Sequence, residues 1–380
     1  MTRFLTSALF IFLLIQASGQ SVRIGILTGY QVTRAAFTSY NGGHYIYGDT
    51  TLLDSIEGNR FIETELVSGK VALKINTVSK GKFRSVRIVA RKQEGAFTVT
   101  SKSPAVRERR YQDAAEVFVN KGKLRIVNIV SMSNYLWGVI ESEGGSGKHI
   151  EYYKVQSLMS RSYAYKNLDR HAGEGFYLCD RVHCQVYHNM LKHTPTIREA
   201  VEATKGEVLT DLKGNIVTTC FSANCGGEVC DASYVWNNSI SYAEPFRDTF
   251  CVHTRQATWT AKIRKTEWRN FLVKQYGYPI SDSLAAAVMY TFEQDQRKAF
   301  YIHPSLGIPL RDLRKEFNLK STFFSTHPEG EFIVLEGKGF GHGVGLCQEG
   351  AMNMAKHGYS YRQIALFYFS GVRIITRKED

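Results

Sequence analysis

Apolar and polar residues alternate along much of the first third of the chain, which is the pattern of half-buried β-strands. We predict strands in six ranges: 21–28, 71–76, 85–91, 96–100, 115–119 and 124–130. The sequence Asn120-Lys121-Gly122 has the composition of a hairpin turn and separates the last two of them. Residues 20–130 are therefore predicted to form a β-rich N-terminal subdomain.

Beyond residue 130 the apolar residues recur at helical spacing. The longest such pattern predicts an amphipathic helix over 151–170, and one face of it carries Val155, Leu158, Met159, Ser162 and Tyr165. Further helices are predicted at 133–143, 196–206, 266–276, 283–300, 310–317, 348–357 and 361–369. Strands are predicted as a hairpin of 207–210 with 216–221, and as a closing strand at 372–376.

Two helix starts carry capping signals. Ser133 is placed to cap the helix that runs toward Glu143, and Thr196 with Glu199 forms a capping-box pattern. No internal repeat, linker or low-complexity tract divides the chain between residues 130 and 376. We therefore predict an α+β fold, in which residues 131–380 form one domain of helices and antiparallel strands.

The first residues have the layout of a secretory signal peptide. Arg3 precedes the apolar run 8–15, and the small residues Ala17, Ser18 and Gly19 follow it. We predict that residues 1–19 are cleaved near Gly19/Gln20 and that the chain is exported to the periplasm or cell envelope. No later stretch approaches the roughly 18 apolar residues of a membrane span, so we expect no transmembrane segment in the mature chain.

The charge balance favours a polyanionic partner. Lys and Arg number 48 against 35 Asp and Glu, which gives a formal net charge of +13. The basic tracts at 80–92 and 107–110 are typical of solvated strand faces and accompany no nucleic-acid-binding motif, so we expect no nucleic-acid partner. An acidic cell-wall polymer fits both the charge and the export signal.

Several short motifs follow one another in a fixed order. They lie at 135–143 (YLWGVIESE), 151–164 (EYYKVQSLMSRSYA), 185–187 (QVY), 200–209 (AVEATKGEVL), 221–227 (FSANCGG), 339–351 (GFGHGVGLCQEGA) and 358–361 (GYSY). Together they resemble the stage II sporulation protein D (SpoIID)/LytB family over about residues 125–376. Each motif alone is weak, but the ordered set is specific.

The resemblance implies an enzyme of the cell wall. Members act as lytic transglycosylases that cleave the glycan strands of peptidoglycan after the stem peptides have been removed, and leave 1,6-anhydromuramic acid ends. The family also contains enhancers of amidase activity. The alternative function is therefore a non-catalytic wall-binding protein or amidase enhancer, with an amidase as its partner.

The motif match assigns the catalytic acid/base to Glu143. A lytic transglycosylase needs one carboxyl group, because the C6 hydroxyl of the muramic acid attacks within the same molecule and no water has to be activated. Glu141 is the competing carboxylate, and a structural role for Glu143 at its helix end is the other alternative. The family usually has Met-Pro after this glutamate, where this chain has Gly144-Gly145-Ser146-Gly147, so we expect a more mobile loop here.

The resemblance also supplies a set of substrate-binding candidates from the same motifs. They are Gln156, Arg161, Tyr163, Gln185, Tyr187, Ser222, His342 and Gln348. The guanidinium of Arg161 suits the lactyl carboxylate of muramic acid, since its planar fork pairs with both oxygens. Pairing with a structural glutamate is the alternative for Arg161, and backbone contacts in a tight glycine-rich turn are the alternative for His342.

All seven cysteines lie between residues 179 and 347. His171, Cys179, His183 and Cys184 together offer two imidazoles and two thiolates, a set that suits a structural tetrahedral Zn²⁺ site. A disulfide between Cys179 and Cys184 is the alternative in an oxidising compartment.

Overall fold

The computed structural model describes residues 21–378, which fall into two compact units. Unit 1 contains residues 21–135, 171–190 and 378, and unit 2 contains 136–170 and 191–377. The predicted signal peptide lies outside the described residues. The predicted α+β class is confirmed. The structure assigns residues 171–190 to unit 1, although the expected second domain begins at residue 131.

Unit 1 consists almost entirely of strands. They are β1 Ser21–Ile26, β2 Arg34–Asn41, β3 His44–Gly48, β4 Thr51–Ile56, β5 Phe61–Val67, β6 Lys70–Ile75, β7 Val78–Phe83, β8 Ser85–Ala90, β9 Ala96–Ser103, β10 Arg109–Gln112, β11 Ala114–Asn120, β12 Lys123–Ser131 and β13 Leu178–Cys179. One sheet has the order β13-β1-β12-β11-β8-β3-β4 and the other β10-β9-β2-β5-β6-β7. The six predicted strands are confirmed, and the remaining strands were not predicted.

The two sheets of unit 1 are joined by buried apolar side chains from alternating strand positions. Phe37, Phe97 and Tyr111 of the second sheet are fully buried, and the ring of Phe97 also lies 6.1 Å from the ring of buried His44, on β3 of the first sheet. The turn between β11 and β12 places Lys121 and Gly122 at positive φ, of 50° and 72°, as a tight hairpin requires. The predicted hairpin is therefore confirmed.

Unit 2 contains most of the helical structure. The helices are α1 Met132–Gly144, which begins in unit 1, α2 Ile150–Lys166, α3 Thr196–Ala203, α4 Ser233–Trp236, α5 Lys265–Tyr276, α6 Ser283–Val288, α7 Leu310–Glu316, α8 Gln348–Lys356 and α9 Tyr361–Tyr368. Its strands are β14 Glu207–Asp211, β15 Phe221–Ser222, β16 Thr258–Arg264, β17 Phe324–Glu329, β18 Phe332–Lys338, β19 Leu346–Cys347 and β20 Val372–Thr376. They pair as β14-β20, β15-β19 and β16-β18-β17.

Some helix and strand boundaries differ from the predicted ones, because backbone pairing between distant residues overrides the local sequence pattern. The helix predicted over 283–300 ends at Val288, since the backbone of Phe292 pairs with Thr326 next to it. The strand β14 pairs along its length with β20, and a single bridge, Thr210 to Ile216, remains of the predicted hairpin.

The predicted caps are also corrected. The helix α1 begins at Met132, and the hydroxyl of Ser131, not Ser133, accepts the Asn134 N–H. In α3, Thr196 is the first helical residue and makes no capping bond, because Pro195 occupies the cap position. Both residues named as caps therefore lie inside their helices, and each helix begins earlier than the capping signal indicated.

The helix α2 is buried on every side, whereas the sequence pattern predicted one apolar face. Residues 155–164 are all buried, although they include Gln156, Ser157 and Ser160. These polar side chains have partners within unit 2: the Thr204 hydroxyl donates to Ser157, and Gln156 donates to Ser160. A helix with polar residues in the core is stable only when such groups are satisfied.

Arg161 is the largest polar group on α2, and it is 1% exposed. Its guanidinium donates to the backbone carbonyls of Thr204 at 2.7 Å, Val201 at 3.2 Å and Glu207 at 3.3 Å. These carbonyls belong to the end of α3 and the start of β14, so one side chain fixes α2 against both elements.

We predict that Arg161→Lys destabilises unit 2 by about 2–4 kcal/mol, because an ammonium cannot reach carbonyls that the planar guanidinium bridges. Thermal and urea unfolding measure the effect. Arg269→Lys, at an exposed position of α5, is the control and should change stability by less than about 0.5 kcal/mol. Equal stability of Arg161→Lys and the parent protein would contradict this role.

Candidate functional site

Glu143 lies in the last turn of α1 and is partly exposed. The side-chain amide of Gln348, from the start of α8, lies 3.5 Å from the Glu143 backbone carbonyl and donates to it. Burial raises the pKa of the Tyr152 phenol, and the negative charge of nearby Glu143 raises it further. Glu143, Tyr152 and Gln348 therefore form one polar group at the end of α1.

Glu141 has a different environment, although it is only two residues away on the same helix. Its carboxylate accepts the backbone N–H groups of Lys192 at 2.8 Å and His193 at 2.9 Å. Both oxygens are thereby used to hold a neighbouring chain segment. The geometry gives Glu141 a structural role.

The glycine-rich loop after Glu143 is fixed by tyrosines from α2. The Tyr153 hydroxyl accepts the Lys148 N–H at 3.0 Å and donates to the Gly145 carbonyl at 2.9 Å. A side chain at Gly144 would lie 2.9 Å from the Tyr152 hydroxyl, so this position requires glycine. The loop, which was expected to be more mobile, is thus hydrogen-bonded near both ends.

Gln156 belongs to the same polar group. Its side-chain oxygen accepts the Tyr152 hydroxyl at 3.5 Å, and its residue is fully buried. The structure therefore brings Glu143, Gln156 and Gln348 together through Tyr152, which the sequence analysis did not single out. The spacing of Tyr152 and Gln156, four residues apart on a helix, was the available signal.

His342 lies in the glycine-rich turn between β18 and α8, and Ser222, at the end of β15, contacts that turn. The Ser222 hydroxyl accepts the Gly343 N–H at 3.2 Å, and His342 Nδ1 accepts the Val344 N–H at 3.0 Å. Burial, followed by the charges of Arg314 and Arg297, lowers the pKa of His342 to about 4. His342 is therefore neutral at neutral pH and makes the backbone contacts expected of a histidine in a tight turn.

The remaining substrate-binding candidates lie in packed surroundings. Arg161 holds backbone carbonyls, so the geometry supports neither the substrate carboxylate nor the structural glutamate that were expected as its partner. The Tyr163 hydroxyl accepts a hydrogen bond from Arg170 at 3.0 Å. Gln185 and Tyr187 are buried in unit 1, where Gln185 accepts the Tyr135 hydroxyl and Tyr187 donates to Asn128.

Unit 1 brings the predicted metal ligands His171, Cys179, His183 and Cys184 together, and we call them the first metal group. Their ligand atoms all lie within 4.8 Å of one another. Cys184 Sγ is 3.5 Å from His171 Nε2 and 3.7 Å from His183 Nδ1. Hydrogen bonding from Cys184 is the main cause that lowers the pKa of Cys179 to about 5, which favours its thiolate.

Glu174 orients one of these ligands. Its Oε1 lies 2.9 Å from His171 Nδ1, so the imidazole donates through Nδ1 and presents Nε2 to the sulfur of Cys184. Arg125 in turn pairs with the other oxygen of Glu174 at 2.5 Å. A carboxylate on the outer nitrogen of a histidine is the usual support of a metal ligand, so the arrangement fits Zn²⁺.

Unit 2 contains a second group that could hold a metal ion, formed by Cys225, Asp248, Cys251 and Cys347. The sequence analysis did not identify this second metal group, because its members come from three segments far apart in the chain. The spacing Asp248-x-x-Cys251 was the one local signal for it.

The described residues, 21–378, contain no helix with the length and apolar character needed to cross a bilayer.

A family model and individual proteins both relate this chain to stage II sporulation proteins. Residues 120–210 match the family model described as Stage II sporulation protein. The chain is 26% identical over 263 residues to Stage II sporulation protein D of Bacillus subtilis, an alignment that covers 65% of this chain and 75% of that protein. It is 28% identical over 255 residues to an uncharacterized protein of Brachyspira hyodysenteriae, covering 66% and 68%.

A third relative is named for a different activity. The chain is 25% identical over 292 residues to the amidase enhancer of Bacillus subtilis, covering 63% of this chain and 40% of that protein. The matched family model covers α1, α2 and the first metal group, which are the elements on which the candidate site is built. The chain thus contains a match to the SpoIID family model over residues 120–210, and it is similar to Stage II sporulation protein D and to the amidase enhancer of Bacillus subtilis.

Proposed function

We propose that the protein is an exported lytic transglycosylase that cleaves the peptide-free glycan strands of peptidoglycan, with Glu143 as its single acid and base. The observation that supports this most directly is the position of Glu143, which is partly exposed at the end of α1 beside Tyr152 and Gln348. Glu141, the competing carboxylate, accepts two backbone N–H groups.

The reaction requires one carboxyl group with two successive tasks. Protonated Glu143 donates its proton to the oxygen of the glycosidic bond as that bond breaks at C1 of the muramic acid. The resulting carboxylate then accepts the proton of the C6 hydroxyl as its oxygen bonds to C1. The product is a 1,6-anhydro sugar, and the glutamate ends protonated, so no water is consumed.

The neighbouring side chains suit the task of fixing the surroundings of Glu143. Tyr152 and Gln156 are fully buried and hydrogen-bonded to each other, and Gln348 donates to the Glu143 carbonyl, so these groups add polar support without adding charge. The attack is intramolecular, so fixing the ring conformation supplies much of the rate enhancement. The net charge of +13 favours a glycan whose lactyl carboxylates are exposed.

The second candidate function is enhancement of an amidase without glycan cleavage. The similarity to the amidase enhancer of Bacillus subtilis favours it. That relative is matched over 40% of its length, so its remaining part has no counterpart in this alignment. In this function Glu143 would contribute to binding and not to turnover.

We also propose that the first metal group binds one structural Zn²⁺. Four protein ligands complete a tetrahedral shell and leave no position for a reacting water. The ion would tie 171–184 together at the edge of the sheet that ends with β13, and so stabilise unit 1.

Glu143→Gln is expected to abolish cleavage of peptide-free glycan while glycan binding and thermal stability are kept, because the amide matches the carboxyl in shape but cannot transfer the proton. We expect a loss of at least about 10²–10⁴-fold in rate. Mass spectrometry of the digest reports the product, since an anhydro end lacks one water relative to a reducing end.

Glu141→Gln is the matched control for this substitution. It should keep most of the activity and lose about 1 kcal/mol of stability, because one of the two oxygens that accept N–H groups is replaced. Reducing ends in the digest would show a hydrolase and contradict the mechanism. Binding without any cleavage by the parent protein would support the amidase-enhancing function instead.

Substitution of two ligands of the first metal group is expected to lower the metal content of the protein by one ion per chain and to destabilise unit 1. The double variant Cys179→Ser/Cys184→Ser tests this by elemental analysis and thermal unfolding. Cys220→Ser, which lies outside both metal groups, is the control. A Cys179–Cys184 disulfide in peptides from the unreduced protein would contradict zinc binding at this group.

Glu174→Gln is expected to weaken zinc binding at the first metal group by about 10–100-fold, because the amide orients His171 less strongly than the carboxylate does. Competition with a chelator of known affinity measures the change. Glu202→Gln, an exposed glutamate of α3, provides the control and should bind zinc as the parent does. Unchanged affinity in Glu174→Gln would show that the carboxylate does not support the ligand.

A further inference from the structure

The second metal group combines three thiols and one carboxylate in the interior of unit 2. Cys225, Asp248, Cys251 and Cys347 are all fully buried, and their ligand atoms all lie within 4.8 Å of one another. Cys225 Sγ is 3.4 Å from Cys251 Sγ and 3.3 Å from Asp248 Oδ2. Separations of this size are those between ligand atoms that share one tetrahedral ion at metal–sulfur distances of about 2.3 Å.

Backbone and side-chain donors surround these ligands. The N–H groups of Cys225, at 3.3 Å, and Gly350, at 3.4 Å, point to Cys347 Sγ. The Tyr368 hydroxyl donates to Asp248 Oδ2 at 2.8 Å, and the Phe250 N–H donates to Oδ1 at 2.9 Å. Hydrogen bonds of this kind orient anionic ligands and offset their charge.

The chain geometry also matches that of a chelating site. Asp248 and Cys251 are separated by two residues across a short 3₁₀ turn, Thr249–Cys251, which is the spacing of paired ligands in structural zinc sites. Of the other two ligands, Cys347 immediately precedes α8 and Cys225 follows β15. Gly350 has no room for a side chain, since a Cβ there would lie 2.7 Å from Asp248 Oδ2 and would also meet the Tyr368 hydroxyl.

We propose that Cys225, Asp248, Cys251 and Cys347 form a second structural site for a divalent ion of the Zn²⁺ class, independent of the first metal group. Three sulfur ligands and one carboxylate oxygen suit Zn²⁺ better than a hard cation such as Mg²⁺ or Ca²⁺. All four positions are protein ligands, so the ion holds three segments together and performs no chemistry.

A metal ion would bind all four side chains of the second metal group, whereas a disulfide would use only two of them. A Cys225–Cys251 disulfide would leave Cys347 and the carboxylate of Asp248 buried beside it. Among residues 21–378, no salt bridge to a Lys or Arg includes Asp248. A buried carboxylate without a cation is costly, and a bound divalent ion would supply the missing positive charge.

The site lies next to the candidate catalytic group along the chain. Cys347 caps α8, and the following residue, Gln348, donates to the carbonyl of Glu143. An ion on Cys347 would therefore fix the start of α8 and, through it, the position of Gln348. This consequence concerns positioning and does not require that the protein cleave glycan.

Metal counting in the mature chain, purified without chelators, tests the proposal. In the double variant Cys179→Ser/Cys184→Ser, which lacks the first metal group, we expect one tightly bound ion per chain by elemental analysis and native mass spectrometry. Adding Cys251→Ser to it should remove that ion, whereas adding Cys220→Ser should not. Reloading the first-group double variant with Co²⁺ should give the absorption bands of tetrahedral cobalt–thiolate coordination.

Two outcomes would overturn the proposal. One is a first-group double variant that folds, as judged by circular dichroism, but holds no ion. The other is a disulfide-linked peptide pair containing two of Cys225, Cys251 and Cys347 in the unreduced protein. Both readouts are independent of glycan cleavage, so they are informative whether or not the protein is a transglycosylase.

Discussion

The architecture of unit 2 depends on satisfying the polar side chains of a helix that has no exposed face along its central part. The helix α2 supplies Tyr152 and Gln156 to the candidate site, and Arg161 to the packing beneath it. The guanidinium of Arg161 is held by carbonyls from the end of α3 and the start of β14. Because these bonds are made in a low-dielectric interior, their geometry fixes the helix more tightly than apolar contacts alone would.

The same principle separates the two glutamates of α1. A carboxylate whose oxygens both accept backbone N–H groups, as in Glu141, is part of the framework. Glu143 is partly exposed and lies beside Tyr152 of α2 and Gln348 of α8. Two residues of sequence separation on one helix therefore suffice to give two carboxylates different surroundings.

The local sequence pattern was sufficient to predict the strands β11 and β12 and the helix α8, because the spacing of their apolar residues agrees with the side that is buried in the fold. It was insufficient for 283–300, where pairing of Phe292 with Thr326 replaced the helix. The first metal group was predictable because its ligands lie within 14 residues of chain (171–184). The second was not, since folding brings together Cys225 and Cys347 from positions 122 apart. Tyr152 and Tyr153 were missed because buried tyrosines look like core residues until their hydroxyl partners are known.

The glycine-rich loop after α1 also offers a position for a spectroscopic label. Gly145 and Gly147 adopt positive φ, a Cβ added at either would meet no atom within 4 Å, and Ser146 between them is exposed. A spectroscopic label at position 146 would therefore be tolerated and would sit three residues from Glu143. Seven native cysteines make thiol-directed labelling unselective, so an unnatural amino acid with its own coupling chemistry is the suitable carrier. If glycan binds beside Glu143, as proposed, such a label would report the binding in real time.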